Sequence, residues 1–310
     1  MRVISASDCQ AALEFETLIG RLRDAFRRGA TAPGSVSYDM PRLSEPPSRL
    51  TLAAAWRGEQ VAGVRIETET PGNLDRHLPA RMGTYLLLDG RTGAPRALLD
   101  GPMLRLRAAA ACSALAASYL ARPDCGRLLV IGASVLASHM VAAFAAVRPL
   151  RAVLIWDQRP EEARRLAQAL DRRRLKVDAT RDLPGALAGA DVICSVVDEP
   201  VLRGADLHPG QHVSLLGDFA PACRQADDEA LARARIFLDD RATGALTSDL
   251  AEAVAAGALE PTDIAADFTE LARGERAGRR FSQQITLFKS VGTALEDLFA
   301  AILLWRRCGG

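Results

Sequence analysis

Aromatic side chains are scarce in this 310-residue chain: Phe, Trp and Tyr together make up 5% of it. A core with so few rings is built from small and aliphatic residues, which suits close helix packing. No sign of charge dominates either. There are 39 Lys and Arg against 38 Asp and Glu, a formal net charge of +1. No long-range field therefore steers the chain toward nucleic acid or an anionic membrane. The densest basic run, Arg172-Arg173-Arg174, follows a predicted helix and reads as a solvated helix end. No stretch of about 18 uncharged apolar residues exists, so no membrane-spanning helix is expected. The opening Met1-Arg2-Val3-Ile4-Ser5-Ala6-Ser7-Asp8 holds no apolar run of signal-peptide length. The cysteines Cys9, Cys112, Cys125, Cys194, Cys223 and Cys308 form no Cys-x-x-Cys pair, and no histidine stands near them at ligand spacing. Free thiols, a reducing cytoplasm and no metal site are the expectation. No segment repeats at a fixed period.

What is present is a globular balance, 49% hydrophobic and 25% charged, in a chain of two-domain length. Residues 8–30 carry Leu13, Leu18, Ile19, Leu22 and Phe26 at helical spacing, ending at Gly29. Residues 31–49 read as loop with a short strand. Apolar or alternating runs at Leu50–Trp56, Val61–Thr70, Met82–Asp89 and Ala97–Asp100, separated by Gly-containing turns, predict a mainly antiparallel sheet. Residues 103–121 form an Ala-rich helix stopped by Pro123-Asp124-Cys125-Gly126. Beyond it, short apolar strands alternate with helix-length segments, the pattern of a parallel sheet covered on both faces. Residues 286–310 look helical, with Leu295, Leu298, Phe299, Ile302, Leu303 and Trp305 on one face. The predicted class is α/β: a Rossmann-type doubly wound parallel sheet at 120–285, plus a split α+β domain made of 1–119 and the returning 286–310.

The strand Leu128-Leu129-Val130-Ile131 runs into Gly132-Ala133-Ser134-Val135-Leu136-Ala137 and then a helix. A dinucleotide site needs this turn, because the amino terminus of the next helix meets the pyrophosphate with free N–H groups and a positive dipole end. Gly132 and Ala137 fit the Gly-x-Gly-x-x-Gly/Ala pattern, while Ser134 occupies the middle glycine position. The second strand ends at Asp157, 25 residues beyond Gly132, where an acidic side chain accepts from ribose hydroxyls and repels a 2′-phosphate. NAD is therefore expected. Arg159 keeps NADP as the alternative, and Gln158 lies between the two.

Three further segments carry a family resemblance. They are Gly83-Thr84-Tyr85-Leu86-Leu87-Leu88-Asp89-Gly90-Arg91-Thr92-Gly93 with Ala97-Leu98-Leu99-Asp100-Gly101, Arg107-Ala108-Ala109-Ala110 with Ser113-Ala114-Leu115-Ala116-Ala117, and Ile285-Thr286-Leu287-Phe288-Lys289-Ser290-Val291-Gly292 with Asp297. The chain resembles the ornithine cyclodeaminase/μ-crystallin family across nearly its whole length. That resemblance implies a split dimerisation and substrate domain, an NAD(P) domain, a homodimer, and hydride transfer at the Cα of an amino or imino acid. It implies that Arg107, Arg42 and Arg65 hold a carboxylate, with Val291 and Gly292 beside the substrate. Asp218 in Gly217-Asp218-Phe219-Ala220-Pro221 matches the acid/base of the cyclodeaminases. Gly217, Ser195, Val196 and Val197 join Gly132, Ala133, Ser134, Val135, Leu136, Asp157, Gln158 and Arg159 as cofactor contacts. Arg65 stands where the family has a lysine; it keeps the charge but is a poor proton shuttle. Met103-Leu104-Arg105-Leu106-Arg107-Ala108 loses two family hydroxyls, and Gln225 replaces a glutamate. The leading expectation is a cyclodeaminase-like reaction through an imine, with Asp218 and Arg65 as catalytic residues. The alternatives are a ketimine or imino-acid reductase or amino-acid dehydrogenase, or a non-catalytic ligand-binding member.

Overall fold

Alternating apolar residues and tight turns assemble the first sheet. The computed structural model describes residues 1–43, 45–171, 175–216, 224–241 and 247–309. These divide into two units, Met1–Ala109 with Gly292–Gly310, and Ala110–Val291.

In the first unit six strands pair in the order β1-β6-β5-β4-β3-β2. They are β1 (Arg2–Ile4), β2 (Ser35–Met40), β3 (Ser48–Arg57), β4 (Val61–Glu69), β5 (Arg81–Asp89) and β6 (Pro95–Asp100). All neighbours are antiparallel except β1 and β6. The loop expected at 31–49 thus holds a full edge strand, β2, paired along its whole length with β3. The β5–β6 turn is set by Asp89, whose Oδ1 accepts from the N–H groups of Arg91 at 3.0 Å and Thr92 at 2.8 Å, and by Gly93 at φ 71°.

One face of this sheet presents Ala53, Ala55, Gly63, Arg65, Tyr85, Leu87, Ala97 and Leu99, all buried. Helices α1 (Ala6–Ala12), α2 (Phe15–Arg28) and α10 (Ala294–Arg307) cover it. Helix α2 turns Leu18, Ile19, Leu22, Ala25 and Phe26 inward, as its 3.6-residue spacing predicts. Helix α10 is capped by the Thr293 side chain, which accepts from the Glu296 N–H. It carries Glu296 and Asp297 in its first turn and Arg306 and Arg307 in its last, complementing its dipole. The opposite face, with Leu50, Leu52, Val64, Ile66, Leu86 and Leu98, is apolar and only half-buried.

The boundary between the units falls within α3 (Gly101–Leu120). Its alanines 108, 110, 111, 114, 116 and 117 are fully buried, so the Ala-rich composition serves close packing.

The second unit is an all-parallel sheet in the order β13-β12-β14-β11-β10-β7-β8-β9. The strands are β7 (Arg127–Ile131), β8 (Ala152–Trp156), β9 (Lys176–Ala179), β10 (Val192–Ser195), β11 (His212–Leu216), β12 (Ala234–Leu238), β13 (Ile264–Asp267) and β14 (Ile285–Ser290). Between them lie α4 (Val135–Ala145), α5 (Pro160–Leu170), α6 (Leu183–Gly189), α7 (Asp228–Arg233), α8 (Ser248–Ala255) and α9 (Phe268–Arg273). The strands β10, β11 and β14 are buried throughout, as strands covered on both faces must be.

The helix expected over 286–310 starts later than its apolar pattern implies. Residues 285–290 are not helical but form β14, inserted between β11 and β12. An apolar run of this length fits a buried strand as well as a helix, and strand neighbours absent from the local sequence decide it. The helix begins only at Ala294, and the unit boundary moves to Val291/Gly292. The run Arg172-Arg173-Arg174 lies outside the described residues. No helix among the described residues is long and apolar enough to cross a membrane.

Candidate active site

In the second unit the chain runs outward from β7 through β8 to β9, then crosses back to β10 on the other side of β7, so the strand order reverses between β7 and β10. The carboxyl ends of these strands flank the switch point at which α/β sheets bind ligands. Gly132 follows β7 at φ 107°, and a Cβ on it would lie 2.8 Å from Val197 Cγ1 and 2.9 Å from Val196 Cγ2. Only glycine fits there, both for backbone conformation and for space. The turn is tied to both neighbouring strands: Gly132 N–H donates to the Trp156 carbonyl at 2.7 Å, and Val196 N–H to the Ile131 carbonyl at 2.9 Å. Ser134 is the N-cap of α4, yet its hydroxyl makes no cap bond. The first-turn N–H groups of α4 therefore have no side-chain cap, and a serine oxygen stands beside them.

Asp157, at the end of β8, is fixed by main-chain donors on both oxygens. Oδ2 accepts from Ala133 N–H at 2.8 Å and Oδ1 from Arg159 N–H at 2.8 Å. The Arg159 guanidinium extends into solvent, with Nε 3.9 Å from Asp157 and the side chain 80% exposed. Gln158 is hydrogen-bonded to Glu199. Ser195 is fully buried and its Oγ has no partner among the described residues. The expected cofactor residues 132–136, 157–159 and 195–197 therefore meet at one edge of one sheet. A fixed carboxylate, a loop that leaves no space for a Cβ and a free helix amino terminus form a donor and acceptor set that fits an adenine dinucleotide. Gly217 and Asp218 lie outside the described residues.

The same end of this sheet holds two buried carboxylates the sequence reading did not single out. Asp249 Oδ2 pairs with Lys289 Nζ on β14 at 2.6 Å, and its Oδ1 accepts from Gln225 N–H at 2.7 Å and Ala226 N–H at 3.0 Å. Asp239 accepts from Ser290 Oγ at 2.9 Å and Val291 N–H at 2.7 Å, which fixes the exit from β14. Gly292 follows at φ 72°.

The first unit carries a separate polar cluster on its covered sheet face. Arg65 Nη1 pairs with Asp297 Oδ2 at 2.6 Å, with side-chain exposures of 10% and 1%. Its Nε is buried without a partner, while Nη2 makes no bond within the described residues and is not sealed from solvent. Burial works to lower the Arg65 pKa, but Asp297, Glu67 and Glu296 outweigh it and raise it. Burial raises the Asp297 pKa against the opposing charges of Arg65 and Arg105. Next to Arg65, Arg105 Nη1 donates to both oxygens of Glu67, at 2.9 and 2.8 Å. Tyr85, the register partner of Arg65, is 1% exposed and places its hydroxyl over Gly63, where a Cβ would lie 2.2 Å away.

The expected carboxylate-binding arginines do not share one environment. Arg107 directs Nε, at 3.0 Å, and Nη2 onto the Leu13 carbonyl, and its guanidinium lies 3.7 Å from the centroid of the Phe15 ring. Among the described residues only its Nη1 has no hydrogen-bond partner. Arg42 Nε donates to Ser48 Oγ at 3.0 Å. Thus Arg65 has an acidic anchor and Arg107 a main-chain one. The sequence reading missed Arg105, Glu67 and Tyr85. The alternation of Gly63, Arg65 and Glu67 along one strand was the available signal that they share a face.

A parallel sheet with a glycine turn at its switch point, joined to a chain that places a buried arginine on a second sheet, defines the class: a two-unit dinucleotide-binding α/β protein. The family model "Ornithine cyclodeaminase/mu-crystallin family" matches residues 2–309, and the chain belongs to that family. A Delta(1)-pyrroline-2-carboxylate reductase of Paracoccus denitrificans is 35% identical over 93% of this chain and 92% of its own length. The ketimine reductase mu-crystallin of Rattus norvegicus is 29% identical over 80% of this chain and 76% of its own. The solved Delta(1)-pyrroline-2-carboxylate reductase of Thermococcus litoralis, in complex with NADH and L-proline, superposes with a TM-score of 0.92 at 25% identity, over 99% of this chain and 97% of that one.

Proposed function

We propose that this chain is an NAD-dependent reductase of cyclic imino acids, turning a Δ1-pyrroline-2-carboxylate-type substrate into the corresponding α-amino acid. The observation that carries this reading is Arg65. A guanidinium anchored by Asp297 holds a carboxylate well but does not give up a proton at neutral pH. Reduction of a cyclic imine asks for one hydride and one proton on nitrogen, whereas cyclodeamination also asks for an amine to be deprotonated and ammonia to be expelled. The arginine is compatible with the shorter list, and the relatives named above are reductases. This moves the reading from the cyclodeaminase expectation to its reductase alternative.

A bound reduced nicotinamide supplies the hydride. The protein's own residues do the rest. Ser134, Val135 and Leu136 meet the pyrophosphate with main-chain N–H groups and the serine hydroxyl, and Gly132 lets the backbone approach it. Asp157 accepts from the adenosine ribose and repels a 2′-phosphate, favouring NAD; the exposed Arg159 is the route by which NADP would be accepted. Arg65, through Nη2, and Arg107, through Nη1, hold the substrate carboxylate, with Arg42 as a third cation. Asp218 serves the nitrogen as acid, and Val291 and Gly292 border the substrate.

With NADH and Δ1-pyrroline-2-carboxylate, absorbance at the nicotinamide wavelength is expected to fall and L-proline to appear, while ornithine with NAD gives neither ammonia nor proline. Ammonia release from ornithine without imine reduction would overturn the reading in favour of cyclodeamination.

A homodimer and a cytoplasmic location complete the proposal. The open face of the six-stranded sheet supports the first: Val36 and Tyr38 are 53% and 55% exposed and continue the half-buried stripe of Leu50, Leu52, Val64, Ile66 and Leu86. Contiguous apolar surface of this kind favours association. Sedimentation is expected to give twice the 33.2 kDa chain mass, and Leu52→Glu with Leu86→Glu to return the monomer. A monomeric unsubstituted chain would count against it.

A further inference from the structure

Four arginines far apart in sequence converge on one groove of the first unit. Arg21 lies on α2, Arg57 ends β3, Arg91 sits in the β5–β6 turn and Arg306 in the last turn of α10. None of their side chains has a partner among the described residues. They line a groove of about 890 Å³. Three more arginines border it, each already paired: Arg28 with Asp24, Arg96 with Asp89, and Arg307 with Glu14. Among the described residues, the only carboxylates in the lining are Glu59 and Asp89. The groove therefore carries a formal charge of +5 in a chain whose total is +1, so the remainder is net negative.

Helix-dipole compensation explains part of this. Arg28, Arg306 and Arg307 stand in the last turns of α2 and α10, where cations are favoured. It does not explain Arg21, in the middle of α2, or Arg57 and Arg91 on the strand and turn that face it. Nor is the groove floor polar: Leu87, Phe299 and Leu303 are buried beneath it, and Trp305 offers a half-buried ring at its side. Several unpaired guanidiniums around an apolar floor, in a volume suited to a small molecule, select a compact ligand with multiple negative charges.

We infer that this groove is a binding site for a small polyanion of the oligophosphate class, built by Arg21, Arg57, Arg91 and Arg306, and distinct from the dinucleotide loop after β7. Phosphate oxygens take two N–H donors from one guanidinium at a time, which accounts for arginine at all four positions. The site stands on its own geometry and does not depend on which reaction the chain catalyses.

The test is calorimetric titration of the full chain with inorganic tripolyphosphate, with and without saturating NADH. One equivalent is expected to bind, equally well in both conditions, and affinity to fall steeply with added salt. The triple substitution Arg21→Gln, Arg57→Gln, Arg91→Gln is expected to weaken binding at least ~30-fold, given the strength of charged hydrogen bonds. Arg306→Gln alone, a single surface change, gives a smaller loss in the same direction. Adenosine triphosphate separates the two sources of the chemistry: tighter binding with quenched Trp305 emission identifies a nucleotide, and equal affinity identifies the phosphate chain alone. Either result supports the site. Absence of heat, equal affinity in the triple variant, or loss of binding when NADH is added would overturn it.

Discussion

Asp249→Ala is expected to destabilise the protein by about 3–5 kcal/mol, the cost of leaving a buried charge without its partner. Lys289 is one of only two lysines in the chain and sits on an interior strand of the parallel sheet, its side chain 5% exposed against 0% for Asp249. Removal of the carboxylate also orphans the Gln225 and Ala226 N–H groups. The urea midpoint should fall with little change in slope, because the surface exposed on unfolding stays the same. A cycle separates the two contributions. Lys289→Met alone leaves Asp249 bonded to two amides but without its cation. The double variant should be more stable than Asp249→Ala, since an apolar pair replaces the stranded ammonium. If all three variants unfold at the same urea concentration as the parent, the pair has no structural weight.

Arg65→Met is expected to lower kcat/KM for the imino acid roughly 10–100-fold, mainly through KM, as the loss of one charged hydrogen bond to a carboxylate implies. Arg65→Lys should recover much of it, because Asp297 still meets a cation. The variant also has a stability signature. Without Arg65 the buried Asp297 is held in its protonated form more strongly than in the parent, where burial already raises its pKa. Its folded pKa then lies further above the unfolded value of about 4. The resulting stability is present at acid pH and lost as pH rises through that window, so Arg65→Met should weaken more steeply toward neutral pH than the parent. Flat unfolding midpoints between acid and neutral pH, with KM unaltered, would remove Arg65 from the substrate-binding role.

Much of the fold was legible because its signals are local. Glycine-punctuated alternation marked β3 to β6, and strand–helix alternation with Gly132 and Asp157 marked the nucleotide unit. The dinucleotide residues were recognisable because strand, turn and helix follow one another without interruption. What local signals could not carry was partnership. Nothing near Ile285–Ser290 announces a strand, because its neighbours are β11 and β12, tens of residues away. Arg65 was visible as a cation, but its anchor Asp297 lies 232 residues further along. Arg107 matched the position of a carboxylate-binding arginine, yet most of its donors face the Leu13 carbonyl, which has no signature of its own. A near-zero net charge likewise concealed a basic groove, since composition averages what folding segregates.

The position of β14 also governs how the molecule can be made. During translation both units stay open late: one lacks an interior strand until Ser290 has emerged, and the other lacks the helix that covers its sheet until Arg307 has. A nascent polypeptide therefore carries two unfinished cores at once, and a premature stop near residue 280 would disable both rather than one.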